Sequence, residues 1–129
     1  MKVLIVEDDN MMRRILKRAV MAVGHEATGC ADAERALEML SEDSFPLVIL
    51  DWMLPGMDGI EFCRKIRKMP GGEHYYVLMV TAKDRYEDLV EVLNAGADDY
   101  IAKPVDVKTL KTRITVAERM FKRLEELRD

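Results

Sequence analysis

Nothing in this chain is long and apolar enough to cross a membrane: charged residues interrupt every segment, well short of the about 18 uninterrupted apolar positions a span needs. The opening Met1-Lys2-Val3-Leu4-Ile5-Val6-Glu7 meets acid after a short apolar run. A secretory leader has a longer apolar region and a small-residue cleavage site, so export is not expected and a cytoplasmic location is. Cysteine is scarce. Cys30 and Cys63 stand in unrelated contexts without metal-type spacing, which suits free buried thiols in a reducing compartment. There is no glycine-rich loop ending in Lys-Ser or Lys-Thr, which excludes P-loop phosphate binding. Basic excess is missing too: the formal net charge of -4 argues against broad nucleic-acid affinity. With 129 residues, 49% of them hydrophobic, the chain suffices for one domain with one buried core.

What is present is an alternation of two hydrophobic periods. Residues 2–6, 47–50 and 77–80 are solid apolar runs rich in Val, Ile and Leu, and residues 25–29 and 99–102 are weaker strand candidates. Short runs without alternation suit strands buried on both faces of a parallel sheet. Between them the period is helical. Met12, Ile15, Leu16, Ala19, Val20 and Val23 form one stripe, closed by Gly24. Residues 33–40 follow Asp32 as N-cap, and residues 60–69 follow Asp58, with Glu61 completing a capping-box pattern. Asp84 and Glu87 repeat that pattern before Leu89, Val92 and Leu93, and Gly96 closes the helix. Five β-α units predict an α/β fold: a doubly wound, flavodoxin-like five-stranded parallel sheet, order 2-1-3-4-5, flanked by five helices.

In that fold class ligands bind beyond the carboxyl ends of the strands. Here those ends carry chemistry. Glu7-Asp8-Asp9 follows the first strand, Asp51 the third, Thr81-Ala82 the fourth and Lys103-Pro104 the fifth. Clustered carboxylates repel one another, and a hard divalent cation with oxygen ligands, Mg²⁺ above all, relieves that repulsion. A carboxylate is also a usable nucleophile for phosphoryl transfer, which a metal, a lysine and a hydroxyl assist by positioning and charge neutralisation. Each element has a plainer reading. Asp9 suits a helix cap, Asp51 a turn, Thr81 a helix start and Lys103 a solvated charge. The four strand ends taken together outweigh those readings.

The acid pair, the Asp51-Trp52-Met53-Leu54-Pro55-Gly56-Met57-Asp58-Gly59 loop, Thr81-Ala82 and Lys103-Pro104 together resemble a response-regulator receiver domain over residues 2 to about 117. Met12-Arg13-Arg14-Ile15 and Asp51-Trp52 are similar to the single-domain chemotaxis regulators. The resemblance implies that Asp51 accepts a phosphoryl group from a phosphohistidine on a sensor histidine kinase or phosphotransfer protein. Glu7, Asp8, Asp51 and the backbone carbonyl of Met53 would hold Mg²⁺, Glu7 through a water. Lys103 would bridge the acids and then the phosphoryl oxygens, and Thr81 and the Ala82 backbone N–H would complete the phosphate site. Thr81 and Tyr100 would form the switch, and the bond before Pro104 would be cis. Tyr100 also reads as an amphipathic edge residue, and Trp52 as a loop aromatic covering the site. Met53 and Lys83 stand where a hydrolytic water would approach, and neither orients water well, so slow autodephosphorylation is expected. The domain would act only on itself and not as an enzyme on other substrates.

Rival functions fare worse. A haloacid-dehalogenase-type phosphatase needs a second aspartate two residues after the nucleophile, where Met53 stands. A flavodoxin-like cofactor binder needs phosphate donors in the first loop, and Glu7-Asp8-Asp9 would repel a phosphate. A degenerate receiver would not keep Asp8, Asp51, Thr81 and Lys103 together.

The last helix, capped by Asp106, is expected to run to Leu127. Val107, Leu110, Ile114, Ala117, Phe121 and Leu124 make a heptad-like seam whose first half faces the core. Residues 1–117 are read as the receiver and 118–129 as an extension. Met120, Phe121, Leu124 and Leu127 then need a homodimer partner, a separate output domain or a fold-back contact. Glu118, Glu125 and Glu126 interleave with the basic residues there, as on a solvated face without direct nucleic-acid contact.

Overall fold

The computed structural model describes residues 1–128. Five strands, β1 (Lys2–Val6), β2 (Glu26–Cys30), β3 (Leu47–Leu50), β4 (Tyr76–Thr81) and β5 (Asp99–Ala102), pair in parallel in the order β2-β1-β3-β4-β5. Helices α1 (Asn10–Ala22), α2 (Ala33–Glu42), α3 (Gly59–Lys68), α4 (Tyr86–Asn94) and α5 (Val107–Arg128) connect and cover them. This is the expected doubly wound fold.

The solid apolar runs explain the layering. All four residues of β3 are buried, because side chains alternate between two covered faces. Leu4, Val6, Val48, Leu50, Val77 and Met79 share one core with Ala36 and Leu40 of α2, Phe62 and Ile66 of α3, and Val92 of α4. Val3, Ile5, Leu47, Ile49, Leu78 and Val80 share the other with Leu16 and Val20 of α1 and Leu110 and Ile114 of α5. Each fully buried aliphatic side chain stabilises the fold by roughly 1.5–3 kcal/mol.

Several element boundaries differ from expectation. β2 starts at Glu26, not at 25, because the His25 amide still donates to Val20 O in the turn closing α1, through Gly24 at φ 90°. β4 gains Tyr76, whose amide donates to Pro46 O, and Thr81, which pairs with Ala102. The helix α4 is not capped by Asp84 with Glu87. It starts at Tyr86, and the Asp88 carboxylate accepts from the Arg85 backbone N–H and guanidinium, each at 3.3 Å. Arg85 lies in an extended conformation one residue beyond the predicted cap, so the reciprocal acid shifts with it. Asp9, Asp32 and Asp58 do cap α1, α2 and α3, accepting from Met12, Arg35 and Glu61 amides at 2.9, 2.7 and 2.9 Å.

In α5, Leu110, Ile114 and Ala117 are buried as predicted, but Val107 is 39% exposed at the first turn, where no neighbour covers it fully. Phe121 is half-buried, while Met120, Leu124 and Leu127 are exposed. The last residue of the predicted 118–129 extension, Asp129, lies outside the described residues.

A candidate phosphoacceptor site at the strand ends

Register carries the site. Val6 pairs with Leu50, so Glu7 and Asp51 leave adjacent strands level with one another, and the Asp51 amide donates to Val6 O at 3.1 Å. Thr81 pairs with Ala102, so Lys103 emerges beside Thr81 and its amide donates to Thr81 O at 2.8 Å. Four segments far apart in sequence thus end on one rim.

At its centre the Lys103 ammonium donates to Glu7 Oε1 at 2.6 Å and to Asp51 Oδ2 at 2.9 Å. Glu7 is 1% exposed and Asp51 6%, whereas Asp8 faces solvent. The Asp9 amide donates to Glu7 Oε2 and the Met53 amide to Asp51 Oδ1, each at 3.2 Å, so both buried carboxylates are hydrogen-bonded at both oxygens. Burial pushes the Glu7 carboxyl above the usual range and the nearby Asp51 charge adds to this, against the pull of Lys103 and the Asp9 amide. Burial alone would lower the Lys103 ammonium, yet its hydrogen bonds to Glu7 and Asp51 raise it overall.

One oxygen each of Glu7, Asp8 and Asp51 lies within 4.8 Å of the others. An all-oxygen acidic set of this kind fits a hard divalent cation, with open sides left for water. Lys103 neutralises part of the charge but leaves the exposed Asp8 with its negative charge facing the same rim.

The other predicted site residues fall around this centre. Thr81 is fully buried, and its Oγ1 accepts from the Lys83 amide at 3.4 Å. Ala82 is exposed and Met53 is 56% exposed, both on the open side. Tyr100 is half-buried, and its hydroxyl donates to the Lys83 carbonyl. The bond before Pro104 is cis. Trp52 departs from expectation in one respect. It is a loop residue as expected, but its ring is 6% exposed and packs into the core, its backbone carbonyl held by the Gly59 amide at 2.8 Å.

Two further residues shape the loop after Asp51. The Glu34 carboxylate of α2 accepts from the Met57 amide at 2.8 Å, pinning the loop that follows Asp51. Gly59 is buried so tightly that an added Cβ would strike the Asp51 carbonyl and the Trp52 Cα. The turn of α3 against the loop that follows Asp51 therefore requires glycine there.

Residues 3–115 match the model of the response regulator receiver domain. The chain belongs to the response-regulator receiver family. It is 40% identical over 125 residues to the chemotaxis protein CheY-3 of Vibrio cholerae, covering 96% of this chain and 94% of that one. It is 38% identical over 120 residues to the transcriptional regulatory protein AfsQ1 of Streptomyces coelicolor, covering 93% of this chain but 52% of that longer protein. Among solved structures, the CheY-like response regulator receiver domain protein of Methanospirillum hungatei matches with a TM-score of 0.83 and 34% identity, covering 97% of each chain. This receiver is thus a module of two-component signalling, with its acidic cluster at the strand ends and no helix, among the described residues, long and apolar enough to cross a membrane.

Proposed function

We propose that this receiver takes a phosphoryl group onto Asp51 from the phosphohistidine of a sensor histidine kinase or phosphotransfer protein. The observation that carries the reading is Lys103, held between the buried carboxylates of Glu7 and Asp51 at 2.6 and 2.9 Å with Asp8 beside them.

In the transfer, an Asp51 carboxylate oxygen forms the new bond to phosphorus as the bond to the histidine nitrogen breaks, and the imidazole leaves with the electron pair. Most of the assistance such a reaction needs is charge neutralisation in a fixed place. Lys103 supplies it by exchanging part of its contact with Glu7 and Asp51 for the phosphoryl oxygens. The Thr81 hydroxyl and the Ala82 N–H supply two further donors. Glu7, Asp8, Asp51 and the Met53 carbonyl would hold Mg²⁺, which offsets the charge of the acids and the incoming phosphoryl group when bound. Thr81 turning inward leaves space for Tyr100, and the β4–β5 side of the domain then presents a different face to an output or partner. The domain catalyses only this phosphorylation of its own side chain and the hydrolysis of the aspartyl phosphate by water. Residues 118–129 serve as an extension that reaches a second copy or an output domain, for which Met120, Leu124 and Leu127 supply exposed apolar side chains.

Acetyl phosphate with Mg²⁺, followed by intact mass, tests the reading. The native chain gains one phosphoryl group, and Asp51→Asn or a chelator removes the gain. A gain that survives Asp51→Asn contradicts the assignment. The lifetime of the product is a second expectation. The exposed Met53 thioether cannot hold a water in line with phosphorus, so Met53→Asn, which can, shortens the phosphoryl half-life by about tenfold. An unchanged half-life would remove Met53 from that role.

A further inference from the structure

Asp8 is the one acid of the strand-end cluster whose side chain nothing holds. Among the described residues it makes no hydrogen bond or ion pair, and it faces solvent. Glu7 and Asp51 are fixed by Lys103 and by backbone amides, whereas Asp8 has only its backbone to aim it. That backbone is pinned on both sides of Glu7. The Glu7 amide donates to Cys30 O at 3.0 Å. The Glu7 carbonyl, part of the peptide leading into Asp8, accepts from Arg13 Nη1 at 2.7 Å. Arg13 is half-buried, while its neighbour Arg14 is exposed. The second terminal nitrogen of Arg13 donates to Asn10 Oδ1. Its stem crosses Gly29 of β2, where an added Cβ would lie 2.9 Å from Arg13 Cδ and 3.1 Å from Cγ. Asn10 and the space left by Gly29 therefore fix the direction of the guanidinium.

We propose that Arg13 is a positioning residue for the metal site: by holding the Glu7 carbonyl it fixes the Glu7–Asp8 peptide and so presents the Asp8 carboxylate to the cation, with Gly29 as the seat of its stem. The proposal rests on the reading of Glu7, Asp8 and Asp51 as Mg²⁺ ligands. A peptide unit is planar, so the carbonyl of residue 7 and the Cα of residue 8 move together. Releasing the carbonyl lets that plane turn, and Asp8 turns with it away from the other two acids. A carboxylate that must first be gathered pays an ordering entropy that a pre-placed one does not. Charge alone argues for the opposite effect. A cation beside the loop repels Mg²⁺, so its removal would tighten binding if Arg13 did nothing else. The sign of the change separates the two.

The test is Mg²⁺ affinity, measured by calorimetry and by Trp52 emission on chains whose folding is checked by chemical denaturation. Arg13→Met keeps an apolar stem over Gly29 and removes the donor, and it weakens Mg²⁺ binding about tenfold, as loss of a group that orients a metal ligand does. Arg14→Met removes the same charge one residue on and changes binding by less than about twofold, because that charge is exposed and screened. Gly29→Val puts a side chain where the Arg13 stem lies. It weakens binding in the native chain and adds nothing to Arg13→Met, because both act through one contact. The proposal is overturned if Arg13→Met binds Mg²⁺ as the native chain does or more tightly, even where its folding stability drops. Equal weakening by Arg14→Met, or a Gly29→Val effect that adds in full to Arg13→Met, overturns it as well. If the native chain binds no Mg²⁺, the metal reading fails and the role of Arg13 falls with it. A native chain that binds while Arg13→Met is unchanged removes the role of Arg13 alone.

Discussion

Lys103→Met slows phosphorylation by acetyl phosphate about 100-fold, the usual loss when one fixed donor is removed from a site where negative charge gathers. Methionine keeps the length and apolar stem of the side chain, so the missing element is the ammonium itself. The same substitution has a thermodynamic signature. Glu7 and Asp51 are almost wholly buried, and Lys103 is the cation between them. Removing one partner of a buried ionic set leaves uncompensated charge, which costs about 3 kcal/mol of folding stability in metal-free buffer at neutral pH. Mg²⁺ restores much of that loss, because it binds the folded arrangement and relieves the same repulsion. Chemical denaturation with and without Mg²⁺ checks this. Equal destabilisation in both conditions would contradict the shared-charge account. Because Lys103 is raised in the folded state, its stabilisation is present throughout the range below ordinary lysine titration, and it fades only as pH climbs through that raised value.

Glu7→Gln moves stability and metal affinity in opposite directions. Burial first, then the Asp51 charge, holds the Glu7 carboxyl above its ordinary value of 4.5. A folded state that binds the proton more tightly than the unfolded one loses stability as pH rises through that titration. At neutral pH, metal-free Glu7 therefore weighs against the fold. Glutamine removes the charge at nearly constant shape, but its single oxygen can accept from Lys103 or from the Asp9 amide and not from both; the relieved repulsion, less that one lost hydrogen bond, leaves the metal-free protein about 1 kcal/mol more stable. The gain disappears toward the acid side of the Glu7 titration, where the native side chain is neutral as well. Mg²⁺ affinity falls by about 10- to 100-fold, the range for losing a carboxylate that acts through a coordinated water. Calorimetric Mg²⁺ titration and denaturation across pH measure both effects. Lower stability of the metal-free variant at neutral pH would show that the repulsion was misjudged.

The topology and the four strand ends were legible because parallel strands in a doubly wound sheet must be apolar on both faces. The first polar residues after each run are then those at the rim. Asp51, Thr81 and Lys103 stand out as abrupt changes in hydropathy. Trp52 was harder to read. A tryptophan between an acid and the motif Met-Leu-Pro-Gly reads as a loop residue, and it is one, but its ring packs into the core while the Gly59 amide holds its carbonyl. Glu34 is 23 residues from the Met57 amide it accepts, on a helix face that otherwise looks solvated. Arg67 is similar. In sequence it is one of several basic residues ending α3. In the fold its guanidinium donates to the Gly96, Gly72 and Tyr75 carbonyls and to Asp98, tying three segments together. Contacts of this kind have no period. They depend on which loops the completed sheet brings side by side. The start of α4 was missed for a local reason: several acids in succession each fit the cap pattern, and backbone geometry selects among them.

Position 51 itself can be tested without any substitution. The native chain is phosphorylated with acetyl phosphate and Mg²⁺, reduced with borohydride, which converts an aspartyl phosphate to homoserine, and mapped by peptide mass. Homoserine at position 51, absent when acetyl phosphate is omitted, is the predicted result. Homoserine at position 8, 9 or 58 instead, or none at all, would contradict the central claim that Asp51, set beside Lys103 at the end of β3, is the phosphoacceptor.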